Sequence, residues 1–286
     1  MKDICLDKMN LKIADITIFL TSEISDLKFE IIEPYKQFTV DQCEPDITLT
    51  LSYKDKLDYP FESKIFDSNG IWALYSYHGK KALMIDSNYP PYIVILNNDY
   101  KCGHIYIQKG LNFPVGYPLD EILIINLLSL GYGIVLHACG ICDRGRGIIF
   151  AGNSGSGKST LAQIWSNIEG VTVLSDDRII IRNIDGCFWM YGTPWNGDPD
   201  ACSSMKIPLH NIFFIKHGDK NTLHKCTNIE AACFLLEKSF ITRWDRSGTQ
   251  FSLKFIEELI QEIPYRELSF VPDEKVVEFL RNHDRL

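Results

Sequence analysis

Gly147-Ile148-Ile149-Phe150-Ala151-Gly152-Asn153-Ser154-Gly155-Ser156-Gly157-Lys158-Ser159-Thr160 is an apolar run, a glycine-rich turn and the start of a helical pattern. Ile148 to Ala151 reads as a buried strand. Gly152 ends it, and Lys158 opens a helix whose apolar face is Leu161, Ile164 and Trp165. The turn fits G-x-x-x-x-G-K-[ST] in full, with strand before and helix after. Glycines let such a loop turn its N–H groups inward around a phosphate. The helix aims its positive end at the same anion. Lys158 supplies a point charge for the outer phosphates, and Ser159 offers a hydroxyl to Mg²⁺, a hard cation that takes oxygen ligands. Gly152, Asn153, Ser154, Gly155, Ser156, Gly157, Lys158, Ser159 and Thr160 are therefore the candidate nucleotide-binding residues.

Around this stretch the chain mixes strands and helices. A helix is expected over 119–130, with Asp120 and Glu121 in its first turn, then a strand over 134–139. The turn 143–147 makes that strand and the loop's own strand a hairpin. After the helix 158–167 come strands at 171–174, 179–181, 187–191 and 212–215. Helices over 228–239 and 251–263, a strand over 265–271 and a last helix close the chain. Residues 112–118 hold two prolines and a glycine, which mark a connection. The expected domains are thus 1–115 and 116–286. The first is β-rich, with strand-like runs at 13–20, 46–53, 70–77, 81–85, 92–96 and 103–107. His78 and His104 stand alone in it and read as ordinary surface or core histidines. Acceptor binding, dimerisation and bracing all remain open for this half.

Asp176 and Asp177 follow the first strand after the loop helix. Two adjacent carboxylates at a strand end are costly unless a cation or hydrogen bonds offset them. The cation of a nucleotide would do so, one carboxylate on the metal side and the other taking a proton from an attacking hydroxyl. Neighbouring side chains on an extended strand point oppositely, so both roles require a turn there. His137 lies in the strand before the loop strand, within reach of the phosphates. Thr193, Asn196 and Asp198, beside Trp195, stand in a Gly/Pro-bounded loop suited to a lid or an acceptor site. Arg243 and Arg246 read as a solvated helix end.

Composition narrows the classes. A net charge of −8 leaves no basic footprint for nucleic acid. The uncharged segment 122–142 has the length of a membrane span, but Asn126, His137 and Gly131-Tyr132-Gly133 interrupt it, so a core helix, a turn and a core strand are expected. The first residues carry acids where a signal peptide would be basic, which points to a reducing cytosol and free thiols. Cys139 and Cys142 form one C-x-x-C without a second pair at comparable spacing.

His137, the loop Gly152–Thr160 and the pair Asp176-Asp177 together resemble the catalytic domain of HPr kinase/phosphorylases. The resemblance runs over roughly 134–182 and weakens toward the C-terminus. It implies an α/β catalytic domain related to phosphoenolpyruvate carboxykinases, a mixed sheet with flanking helices. It does not cover residues 1 to about 115, where the strand-like runs themselves predict a smaller β-rich N-terminal domain. It implies Asp176 as general base, Asp177 as a metal-side carboxylate with Ser159, and His137 as a helper near the transferred phosphate. Lys158, Ser159 and Thr160 would hold ATP and Mg²⁺. Thr160 stands where the bacterial HPr enzymes carry Glu, and Gly192–Asp198 occupies the place of their later signature. The pattern looks closer to HPr-kinase-like proteins of peptide natural-product clusters, some of which phosphorylate a serine hydroxyl. The expectation is a cytoplasmic kinase moving the γ-phosphate of ATP to a hydroxyl of a peptide, protein or small molecule. A nucleotide sensor without transfer and a carboxykinase-like enzyme are the alternatives. A homo-oligomer stays open: HPr kinases form hexamers, but the N-terminal half differs here.

Overall fold

The computed structural model describes every residue except 1–3, 26, 42, 87–90, 110–115, 196, 198–200 and 284–286, and every described side chain except those of Ile4 and Cys5. The protein is mixed α/β, with two large mixed sheets and few helices. It divides into two compact units, Met1–Leu127 and Leu128–Leu286. The division falls at the end of a helix rather than at 115/116; residues 112–115 of the expected connection lie outside the described residues.

The first unit carries strands β1 (Ile4–Leu6), β2 (Lys8–Ile13), β3 (Ile16–Ser22), β4 (Phe29–Ile31), β5 (Ile47–Lys54), β6 (Ser63–Asp67), β7 (Trp72–Tyr77), β8 (Lys80–Ile85), β9 (Tyr92–Leu96) and β10 (Cys102–Gln108), then helix α1 (Leu119–Leu128). Eight strands form one sheet in the order β2-β3-β5-β10-β9-β8-β7-β6. β5 runs parallel to both its neighbours. Its Ile47, Leu49 and Leu51 are buried while the intervening residues are not, the alternation of a half-buried strand. The single strand expected over 13–20 is instead the β2–β3 hairpin. Ala14 and Asp15 both take positive φ, 51° and 59°, which closes a two-residue turn that lacks the glycine such turns usually carry.

The second unit carries β11 (Ile134–Asp143), β12 (Arg146–Ala151), α2 (Lys158–Ser166), β13 (Val171–Ser175), β14 (Arg178–Ile184), β15 (Cys187–Tyr191), β16 (Lys206–His217), β17 (Thr222–His224), α3 (Asn228–Lys238), α4 (Arg246–Glu262), β18 (Tyr265–Phe270) and α5 (Lys275–His283). β11 and β12 form the expected hairpin, turning at Arg144 and Gly145 with φ of 53° and 79°. Two long strands serve two sets of partners. β11 pairs with β14 through Ile134–His137 and with β12 and β13 beyond that. β16 pairs with β15 as far as Pro208 and with β12 from Leu209 onward. The change falls at a proline, which cannot donate to a ladder.

The loop strand β12 is buried on both faces. Ile148 and Phe150 pack with Leu161 and Trp165 of α2 and Val276, Val277 and Leu280 of α5. Ile149 and Ala151 pack with Leu235 of α3 and Phe255, Ile256 and Leu259 of α4. Each large apolar side chain buried in this way contributes about 1.5–3 kcal/mol. Arg281 of α5 donates from Nε and Nη2 to the two oxygens of Asp143 at 2.9 and 2.8 Å, fixing α5 to the end of β11. Helix α4 begins at Arg246 rather than at 251. Ser247, Gly248 and Thr249 are poor helix formers, but Asp245 caps the turn by accepting from Ser247 N. Gly248 is required there, since a Cβ would stand 2.2 Å from Thr242 Oγ1.

Candidate functional site: a glycine-rich loop and two carboxylates at one sheet edge

Strand direction decides what meets at this edge. β13 and β12 are both antiparallel to β11, and β16 and β18 run parallel to β12. The C-terminal ends of β12, β13, β16 and β18 therefore lie at one edge, with the N-terminal half of β11. Ala138 of β11 pairs with Ala151, so His137 stands opposite the start of the loop. Phe214 of β16 pairs with the same Ala151, so His217, three residues on, extends beyond it.

The loop 152–157 connects β12 to α2. Gly157 takes φ 100°, and a Cβ there would stand 2.6 Å from Phe270 at the end of β18. At Gly152 a Cβ would meet Ser156 Oγ at 2.1 Å. Helix α2 has no side-chain hydrogen bond at its N-cap, so its first N–H groups are left for another acceptor. The Ser156 hydroxyl is buried without a hydrogen-bond partner. Lys158 is 8% exposed and donates to Gly152 O at 2.9 Å and Asn153 O at 3.3 Å. Burial holds its pKa below the ordinary lysine value, Lys238 adds to that, and Asp177 opposes it.

A bend between β13 and β14 turns both carboxylates into one place. Ser175 Oγ accepts from the N–H groups of Asp177 and Arg178 at 3.3 and 3.2 Å, fixing that bend. A cavity of about 320 Å³ is lined by His137, Ser154, Gly155, Gly157, Lys158, Ser159, Thr160, Asp176, Asp177, Gly197 and His217. Asp176 is 5% exposed and accepts from Gly197 N at 2.9 Å. Asp177 lies 3.0 Å from His137 Nδ1 and is paired with Arg178. Burial alone would raise the Asp177 pKa. The His137 hydrogen bond and the Arg178, His137 and Lys158 charges outweigh it and hold the carboxyl below the usual aspartate range. Two wider cavities adjoin this one. One, of about 690 Å³, runs from Asn153–Ser156 to Phe234, and one, of about 570 Å³, runs from Ser159 and Asp176 along Gln163 and Val171–Val173.

Of the remaining candidates, Thr193 and Trp195 are buried, and the Thr193 hydroxyl donates to Arg178 O at 2.7 Å, supporting the Asp bend from below. Asn196 and Asp198 lie outside the described residues. Cys139 and Cys142 belong to different cores on opposite sides of β11, so they cannot share a metal, and burial holds the Cys139 thiol far above its ordinary value. His217 was missed from sequence. Its Nε2 is 3.0 Å from Gly155 O, and its ring packs on Phe270. The apolar pattern stops at Ile215, so nothing in it signals that pairing with β18 carries the strand on to His217. In the first unit, His104 Nε2 lies 2.6 Å from Ser52 Oγ and its ring stacks on Tyr106. Among the described residues no cluster of three or more His, Cys, Asp or Glu is arranged to hold a metal. No described helix is long and apolar enough to cross a membrane.

No protein-family model matches the chain, and no curated protein sequence matches it at a significant level.

Proposed function

We propose that the second unit is a P-loop kinase domain of the HPr-kinase/phosphoenolpyruvate-carboxykinase type, transferring the γ-phosphoryl group of ATP to a hydroxyl, a serine in a peptide or protein or an alcohol of a small molecule. One arrangement carries the proposal: the loop Ser154–Thr160 and the carboxylates of Asp176 and Asp177 face each other across a single cavity. The loop amides, the α2 N-terminus and Lys158 hold the phosphates. The donor set for Mg²⁺ is all oxygen, the Ser159 hydroxyl and Asp177. Mg²⁺ is ordinarily held by one or two carboxylates plus phosphate oxygens and water, so no larger carboxylate cluster is needed. When bound, the ion neutralises phosphate charge. The depressed pKa of Asp177 keeps it anionic for that role, and His137 fixes its orientation.

Asp176 is the base. It takes the acceptor's hydroxyl proton as the hydroxyl oxygen bonds to the γ-phosphorus. The bond from that phosphorus to the β–γ bridging oxygen breaks, and its electron pair leaves with ADP. Positioning and charge neutralisation supply most of the rate, as phosphoryl transfer requires. The adjoining cavities give room for a nucleoside and an acceptor.

The test uses γ-labelled ATP, Mg²⁺ and fractionated cell extract. Wild-type protein should label an acceptor that mass spectrometry identifies. Asp176→Asn should bind ATP as wild type does and transfer at least about a hundredfold more slowly. Equal transfer by Asp176→Asn would remove Asp176 from the role, and an unlabelled extract with wild type would remove the kinase reading.

A further inference from the structure

Helix α3 ends in a lysine that turns inward. The Lys238 side chain is 10% exposed. Its ammonium donates to the side-chain oxygen of Asn153 and to Glu237 Oε1 at 2.7 Å, and it lies 5.5 Å from the centre of the Phe234 ring. Asn153 is the first loop residue after Gly152. It is also where Lys158 ends, with Nζ 3.3 Å from Asn153 O. Two ammonium groups thus converge on one residue, Lys158 on its main-chain oxygen and Lys238 on its side-chain oxygen. Like charges brought together in a half-buried place repel. Glu237 offsets this only in part, because its own side chain is 66% exposed and well solvated. A lysine that merely complements the C-terminus of α3 gains that benefit from a solvated position and has no need to be buried against the phosphate loop.

We infer that Lys238 is a second phosphate cation of the site, one that leaves the Asn153 side chain to contact the outermost phosphate of a bound triphosphate beside Lys158. The inference rests on the kinase reading of the same loop and goes beyond it. It assigns the contact to the γ-phosphate, because Lys158, the cation of the outer phosphates, shares Asn153 with it. During transfer Lys238 offsets charge on the phosphoryl oxygens while the acceptor oxygen–phosphorus bond forms and the bond to the bridging oxygen breaks. It takes no proton.

Calorimetric titration of the full chain with MgATP and with MgADP separates this role from a structural one. Lys238→Met should lose about tenfold to a hundredfold in ATP affinity, the range for one charge-assisted hydrogen bond, while ADP affinity stays within about twofold. Lys238→Arg should keep most of the preference for ATP and gives a reading if the Met variant folds poorly. Equal losses for ATP and ADP would make Lys238 a brace for the loop and overturn the inference, as would unchanged affinities. A wild-type chain that binds neither nucleotide would remove the kinase reading and this inference together. A wild type that binds both, with Lys238→Met losing both equally, would remove this inference alone.

Discussion

Asp177 shows how a single residue ties stability to the site. Its carboxyl titrates below the ordinary aspartate value because His137, Arg178 and Lys158 favour the charged form more than burial disfavours it. A carboxyl depressed in the folded state contributes stability above its unfolded value and loses it as pH falls through the folded one. Asp177→Asn should therefore melt below wild type at pH 7, and the gap should close as pH drops under about 4, the unfolded aspartate value. Thermal melts of both proteins from pH 7 to pH 3 measure this, and a gap that stays constant would contradict the assigned pairing. The neighbouring Asp176 has different surroundings, a backbone donor at Gly197 and 5% exposure. The identity of the pair was legible in sequence. Their convergence was not, since a strand would have pointed them apart. It depends on the Ser175 side chain and on Thr193 holding the bend.

At the scale of elements, strand, loop and helix were legible because glycine spacing, the Lys-Ser pair and the apolar face of α2 all agree. The edges of elements were less so. β16 outruns its apolar pattern by two residues, because β18 continues the ladder to His217. Lys238 reads in sequence as one more lysine at the end of a helix, and only the packing of α3 shows that it turns toward Asn153. The loop itself predicts a graded response. Gly155 has φ 77° and open space around an added Cβ, whereas Gly157 has φ 100° and Phe270 in the way. Gly155→Ala should cost about 1–2 kcal/mol, the strain of a non-glycine residue at positive φ. Gly157→Ala should cost about 1–3 kcal/mol more from overpacking. Urea unfolding of both variants gives the comparison, and equal losses would mean that Phe270 yields without cost.

For the whole molecule, the patterning of apolar runs and turns set the class correctly at the coarse level: an α/β chain in which a β-rich half precedes a half that mixes strands and helices. What sequence left out was connectivity. Nothing local says that β11 and β16 each serve two sets of partners, yet that sharing puts a histidine strand and an Asp bend beside the loop. Because all the site residues belong to the second unit, a bound nucleotide should order that unit's loop edge in particular. Amide hydrogen exchange with and without MgATP, read along the whole chain, tests this most directly. Slowed exchange should concentrate at 152–160 and 175–178 and vanish in Lys158→Ala. Protection centred elsewhere, or equal protection in Lys158→Ala, would contradict a triphosphate cradled by this loop.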